Sequence, residues 1–151
     1  MSYLITLHLL AAALWIGGMF FSLYILRPVC LKALEGPSRL MLMMGVMSRF
    51  FATVWLLVSL LLATGFAMLA NISLSLTDHS WVGITMLVIG TGMALIFLYA
   101  FFVPFHHAKT AFASNNAPAT GQHLEAIRKL VVTNFSLSLL LILAGGFGRF
   151  S

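Results

Sequence analysis

The chain has 151 residues, of which 62% are apolar and only 7% are charged. Water-soluble domains usually carry about 25% charged residues, so this chain has too few polar side chains to cover a soluble globule. Its formal net charge is +5, but the basic residues stand between long apolar runs, a pattern that indicates membrane topology and not nucleic-acid binding. The single cysteine, Cys30, excludes an intrachain disulfide and a thiolate-rich metal site built by one copy of the chain.

Four uncharged apolar runs have the length of about 20 residues that a helix needs to cross a bilayer. They extend over about residues 3–26, 50–70, 82–103 and 130–147. Because hydrocarbon offers no partner for open backbone groups, each run must be helical. The sequence therefore predicts an all-α fold, a four-helix transmembrane bundle that occupies residues 1–151 as a single domain with membrane lipids around it.

Two connections contain turn residues followed by a signal for the start of a helix. Gly36-Pro37 precedes Ser38, which we expect to cap a helix that continues into the second span. The turn-rich residues 114–118 precede Thr120, which we expect to cap the helix leading into the fourth span. Both spans are thus expected to extend beyond the hydrocarbon.

Basic residues predict the orientation of the bundle. The connections from the first to the second span and from the third to the fourth, with the residues at their mouths, hold seven of the eight Lys and Arg residues: Arg27, Lys32, Arg39, Arg49, Lys109, Arg128 and Lys129. Loops rich in Lys and Arg face the cytoplasm. We therefore expect both termini and the loop 71–80 to lie outside, with the first run retained as a span and not cleaved as a signal peptide.

Histidines are the first candidates for chemistry, because an ionisable group inside a membrane is costly unless it is paired or bound. His8 lies inside the first span, and Trp15 follows on nearly the same helix face. Gly17 and Gly18 would let a neighbouring helix, or the edge of a macrocycle, approach the backbone, so these glycines and Trp15 are candidate contacts of a bound cofactor. His8 is therefore a candidate metal ligand; the alternative is a ring that bonds water or a carbonyl near the headgroups.

Other polar residues suggest further ligands. His79 is expected at a height similar to His8, where the two imidazoles would suit a bis-histidine haem or a histidine-rich copper site; the alternative is a solvated loop residue. Arg49 and Asn134 would bind an anionic headgroup or a haem propionate, unless Arg49 only extends to the interface.

A second group of histidines stands at the opposite end of the predicted bundle. His106 or His107 could pair with His123, or with a methionine of the stretch 41–47, to give a nitrogen and thioether site that suits monovalent copper. The alternative is that these methionines are flexible apolar filler.

The first span carries His8 and then Trp15-Ile16-Gly17-Gly18, with Arg27-Pro28 at its inner end. This string resembles the copper-resistance D (CopD) family of bacterial inner-membrane proteins, in which a first-helix histidine precedes a Trp-x-Gly-Gly element. Arg49-Phe50 and Thr64-Gly65 agree with the resemblance. It implies an inner-membrane protein associated with copper uptake or tolerance, with His8 as the position that carries over.

The same resemblance brings in the HemJ type of protoporphyrinogen oxidase, a small four-span protein similar to haem b binders that use a first-helix histidine. That type is expected to carry Lys or Arg within a later span, whereas residues 82–103 have no charge. Three hypotheses result: a redox metal centre, copper or haem b, held by His8; a haem b oxidoreductase of the HemJ type; and a cofactor-free accessory subunit or assembly factor of a larger membrane complex. Association as a homodimer is compatible with each.

Overall fold

A computed structural model describes the backbone of residues 2–72 and 80–150 and the side chains of residues 2–70 and 83–146. All regular elements in these ranges are helices, and four of them are long and apolar enough to cross a membrane. The predicted all-α fold with four transmembrane-length helices is confirmed. The orientation of its termini stays a prediction.

Helices α1 and α3 each contain a π-helical segment next to a proline. Helix α1 is continuous through Ser2–Phe20, the π-helical Phe21–Leu26 and Arg27–Ala33, and α3 is continuous through Ser80–Ala100, the π-helical Phe101–Phe105 and His106–Ala113. Pro104 lies inside the second π segment and Pro28 follows the first. Proline has no N–H to donate within the helix, and a wider turn accommodates the missing bond.

Helices α2 and α4 are each a single uninterrupted element that begins earlier than predicted. Helix α2 is Gly36–Ile72 and α4 is Ala117–Phe150. Gly36 has φ +54°, a conformation that glycine adopts readily, so the turn closes there and Ser38 is already helical. The predicted cap at Ser38 is therefore wrong.

Helix α4 is capped by Asn116 and not by Thr120. The Asn116 side-chain oxygen accepts the backbone N–H of Ala119 at 3.1 Å, which is the usual N-cap bond to the third helical residue. Thr120 is buried within the first turn, and its hydroxyl donates to the Asn116 carbonyl at 2.8 Å. The predicted cap at Thr120 is wrong because Asn116 already occupies the N-cap position four residues earlier, directly before Ala117.

Short links make the bundle antiparallel. Only residues 34–35 separate α1 from α2, and only residues 114–116 separate α3 from α4, so each pair forms a helical hairpin. We call the end of the bundle with these two links the connection end, and the end with both chain termini the terminal end. The predicted loop 71–80 falls mostly outside the described residues.

The core of the bundle is a cluster of aromatic rings. Phe51 of α2 is 2% exposed, and its ring centroid lies 4.5–5.8 Å from those of Phe97, Phe101 and Phe105 on α3. Trp15 of α1 meets Phe97 edge to face at 6.4 Å. Since lipid is as apolar as the core, such close packing is what holds the helices together. Large apolar side chains such as Leu56 and Val88 are exposed and contact the membrane lipid.

Candidate metal site at His8

A hydrogen bond to Thr64 fixes His8 of α1 against α2, and the Leu61 backbone is a second polar contact of the ring. Its Nδ1 lies 2.8 Å from the Thr64 hydroxyl oxygen, and Thr64 is buried. The same hydroxyl lies 2.7 Å from the Leu60 carbonyl oxygen and 3.2 Å from that of Leu61. The hydroxyl has one hydrogen, which it donates to the Leu60 carbonyl, and with that hydrogen so placed its oxygen accepts the Nδ1–H of His8. A neutral His8 therefore keeps its proton on Nδ1 and a free lone pair on Nε2.

Gly65 has no side chain and so leaves room for the His8 ring beside α2. A Cβ atom at Gly65 would lie 3.6 Å from His8 Cε1, so the imidazole edge lies directly against the helix surface. We call Thr64 and Gly65 the His8 seat. Ligating histidines usually donate their second ring nitrogen to an oxygen in this way, which fixes both the tautomer and the ring orientation.

Trp15 and Gly18 serve helix packing in the described bundle. Trp15 is buried against Phe97, and a Cβ atom at Gly18 would lie 3.2 Å from the Phe50 ring. Gly17 has no atom within 4 Å of that position. Trp15 is seven residues from His8, about 10 Å along the helix axis. That these residues also contact a bound cofactor stays a prediction.

Arg49 and Asn134 lie in different surroundings. Arg49 is exposed, whereas Asn134 is buried and donates from Nδ2 to the Met93 carbonyl at 3.1 Å. The Asn134 Oδ1 atom has no hydrogen-bond partner among the described residues. Asn134 lines a cavity of about 20 Å³ together with Trp15 and Phe50, which is room for a single water molecule. His79 lies outside the described residues, so its pairing with His8 stays a prediction.

His107 and His123 lie side by side at the connection end. Their ring centroids are 5.4 Å apart, and those of His106 and His107 are 6.3 Å apart. Within residues 2–70 and 83–146, no group of three or more His, Cys, Asp or Glu side chains is arranged to hold a metal ion. The pair therefore has no third ligand of these types, and its metal binding stays a prediction.

The sequence singles out Thr64 only with Gly65, as agreeing with the family resemblance, and gives it no role at the site. Buried hydroxyls in membrane helices usually satisfy themselves on the carbonyl four residues earlier, and Thr64 does so with Leu60. The bond to Leu60 is enough to account for a buried threonine, so Thr64 by itself gives no sign of a second role. In that role the Thr64 hydroxyl accepts a hydrogen bond from the His8 ring, 56 positions away in the chain. The adjacent Gly65 was the available signal, because a small residue beside a hydroxyl permits a close helix contact.

A membrane-spanning bundle of four long apolar helices, with a histidine held near one end by a hydrogen bond, defines a multi-pass inner-membrane protein. The family model described as copper resistance protein D (CopD) matches residues 44–147. The chain belongs to the CopD family. Neither a curated protein nor a solved structure matches it. The matched segment contains Arg49 and the His8 seat and begins after α1, so the first-span string from His8 to Gly18 lies outside it.

Proposed function

We propose that this CopD family member binds a redox metal at the terminal end of its bundle, with His8 as a ligand through Nε2. Family membership makes the chain a membrane protein related to copper resistance; the ligand and the bound form, copper or haem b, are our inference. The observation that carries the proposal is the 2.8 Å contact between His8 Nδ1 and the Thr64 hydroxyl.

An imidazole nitrogen suits either bound form. Neutral imidazole binds copper, and it is also the usual axial ligand of haem iron. His8 is half-buried, so its ring is partly accessible from outside the bundle. Among the described residues, His8 is the one imidazole at this site. A metal bound to it would keep open coordination positions, which suits a protein that accepts and releases copper. The predicted partner His79 would supply a second nitrogen.

Orientation decides which side of the membrane the metal would reach. The connection end holds the basic residues Arg27, Arg39 and Arg128 around one cavity, and such residues favour the cytoplasmic side. His8 would then lie near the outer leaflet. We therefore propose that the metal is taken up or held on the outer side of the membrane.

Metal and pigment analysis of the purified full-length chain tests the proposal. We expect stoichiometric copper in a colourless sample after copper loading, or a red sample with absorption in the Soret region if the bound form is haem b. A cofactor-free accessory subunit would contain neither and would copurify with a larger complex. That last result, in a fully loaded sample, would overturn the proposal.

Substituting Thr64 tests the His8 seat. Thr64→Val is expected to weaken metal binding by about 10- to 100-fold, because second-shell partners of ligating histidines contribute that much to affinity. Thr53→Val is the matched control, since Thr53 lies on the same helix and its hydroxyl donates only to its own helix, at the Arg49 carbonyl 3.0 Å away. Metal titration of both variants gives the comparison. Equal affinities in the two would contradict the assigned role of Thr64.

A further inference from the structure

A separate cavity of about 140 Å³ lies at the connection end, between α1, α2 and α4. Its charged lining consists of Arg27, Arg39, Glu125 and Arg128. The rest is largely apolar and includes Leu23, Leu40 and Ile127 among its members. The cavity therefore has both a cationic and an apolar lining, in helices that continue into the membrane. We call it the arginine cavity.

Positive charge in the arginine cavity is only partly balanced. Glu125 accepts from Arg27 Nη2 at 2.9 Å and from Arg128 Nε at 2.8 Å, so one carboxylate holds two guanidinium groups. Arg39 is half-buried and makes no ion pair among the residues that the structure describes. Three arginines thus face one carboxylate, an excess of two positive charges in a partly enclosed space.

We propose that the arginine cavity binds a phosphate group, the chemistry shared by anionic phospholipid headgroups and soluble phosphate. The planar guanidinium fork matches phosphate oxygens with paired hydrogen bonds. Basic pockets between transmembrane helices at the cytoplasmic side bind anionic headgroups. The lining also includes Met47 and Val131, which lie further along α2 and α4 into the membrane than Arg39 and Arg128. These apolar side chains provide a surface for an acyl chain, so the lipid is the expected source.

Glu125 competes with a bound phosphate in this proposal. It pairs with Arg27 of α1 and Arg128 of α4, whereas Arg39 of α2, which lines the same cavity, has no ion pair among the described residues. A phosphate would compete with the carboxylate for Arg27 and Arg128 while gaining Arg39 outright. Arg39 should therefore matter most for affinity, and loss of the Glu125 charge should strengthen binding.

The test uses the delipidated full-length protein with three probes: phosphatidylglycerol, diacylglycerol, which has acyl chains but no phosphate, and inorganic phosphate. Native mass spectrometry and thermal unfolding report binding without any metal, so the outcome is independent of His8. Arg39→Gln is expected to weaken phosphatidylglycerol binding by about tenfold, the value of one charge-assisted hydrogen bond. Lys129→Gln is the matched control, because Lys129 is exposed beside Arg128 and does not line the cavity.

Glu125→Gln provides a test with the opposite sign. Neutralising the carboxylate is expected to tighten phosphatidylglycerol binding severalfold, even if it lowers the unfolding temperature. Competition by inorganic phosphate in the millimolar range would identify soluble phosphate as a second source, and its absence would identify the lipid alone; both support a phosphate site. Equal binding by the Arg39 and Lys129 variants, equal binding of diacylglycerol, or weaker binding by the Glu125 variant would overturn it.

Discussion

Replacing His8 with alanine is expected to abolish metal binding, with a loss larger than the roughly 100-fold that a second-shell change causes. Alanine has no donor atom, and the described residues offer no other imidazole at the terminal end. The fold should tolerate the change, because the Thr64 hydroxyl keeps its bond to the Leu60 carbonyl when the ring is gone. Metal content and absorption spectra of the purified variant, with its unfolding temperature, are the measurements.

His107→Ala is the matched control for this experiment. His107 is exposed at the connection end beside His123, so the same substitution removes an imidazole at the opposite end of the bundle. The control should bind metal as the unchanged protein does. If the His8 variant retained its metal while the His107 variant lost it, the metal site would have to be moved to the histidine pair at the connection end.

Sequence alone predicts the four spans because lipid leaves a long apolar run no alternative to a helix. It underestimates how far the helices extend. The predicted first span stops at residue 26, whereas α1 continues through Arg27–Ala33. Those last turns contain Lys32 and Pro28, which a search for uncharged apolar runs excludes. The helix persists there because the wider π turn that precedes Pro28 accommodates the backbone bond that proline cannot donate.

The candidate site is predicted only in part, because it joins two helices. His8 stands out in the sequence as an ionisable residue within a span. Its partner depends on the register of α1 against α2, which is set where Gly18 meets Phe50. The sequence does not show whether Gly17 or Gly18 faces α2. The contact with Thr64 therefore had to come from the structure.

Replacing Phe51 with alanine is expected to lower the free energy of unfolding by about 3 kcal/mol, the lower end of the range for a buried phenylalanine. The ring is 2% exposed and contacts three rings of α3. In a membrane the lost term is chiefly dispersion, since lipid would solvate an exposed ring almost as well as the core does. Equilibrium unfolding in mixed micelles gives the value.

Phe66→Ala on the same helix separates packing from hydrophobicity. Phe66 is 55% exposed, so its ring contacts lipid on the outside of the bundle, and its removal should change the free energy of unfolding by less than about 0.5 kcal/mol. A large difference between the two variants would show that the aromatic cluster between α2 and α3 holds the bundle closed. Similar losses in both would mean that ring burial against protein adds little beyond contact with lipid. Trp15 of α1 contacts the same cluster through Phe97. If ring packing added little stability, another interaction would have to keep α1 in register with the His8 seat.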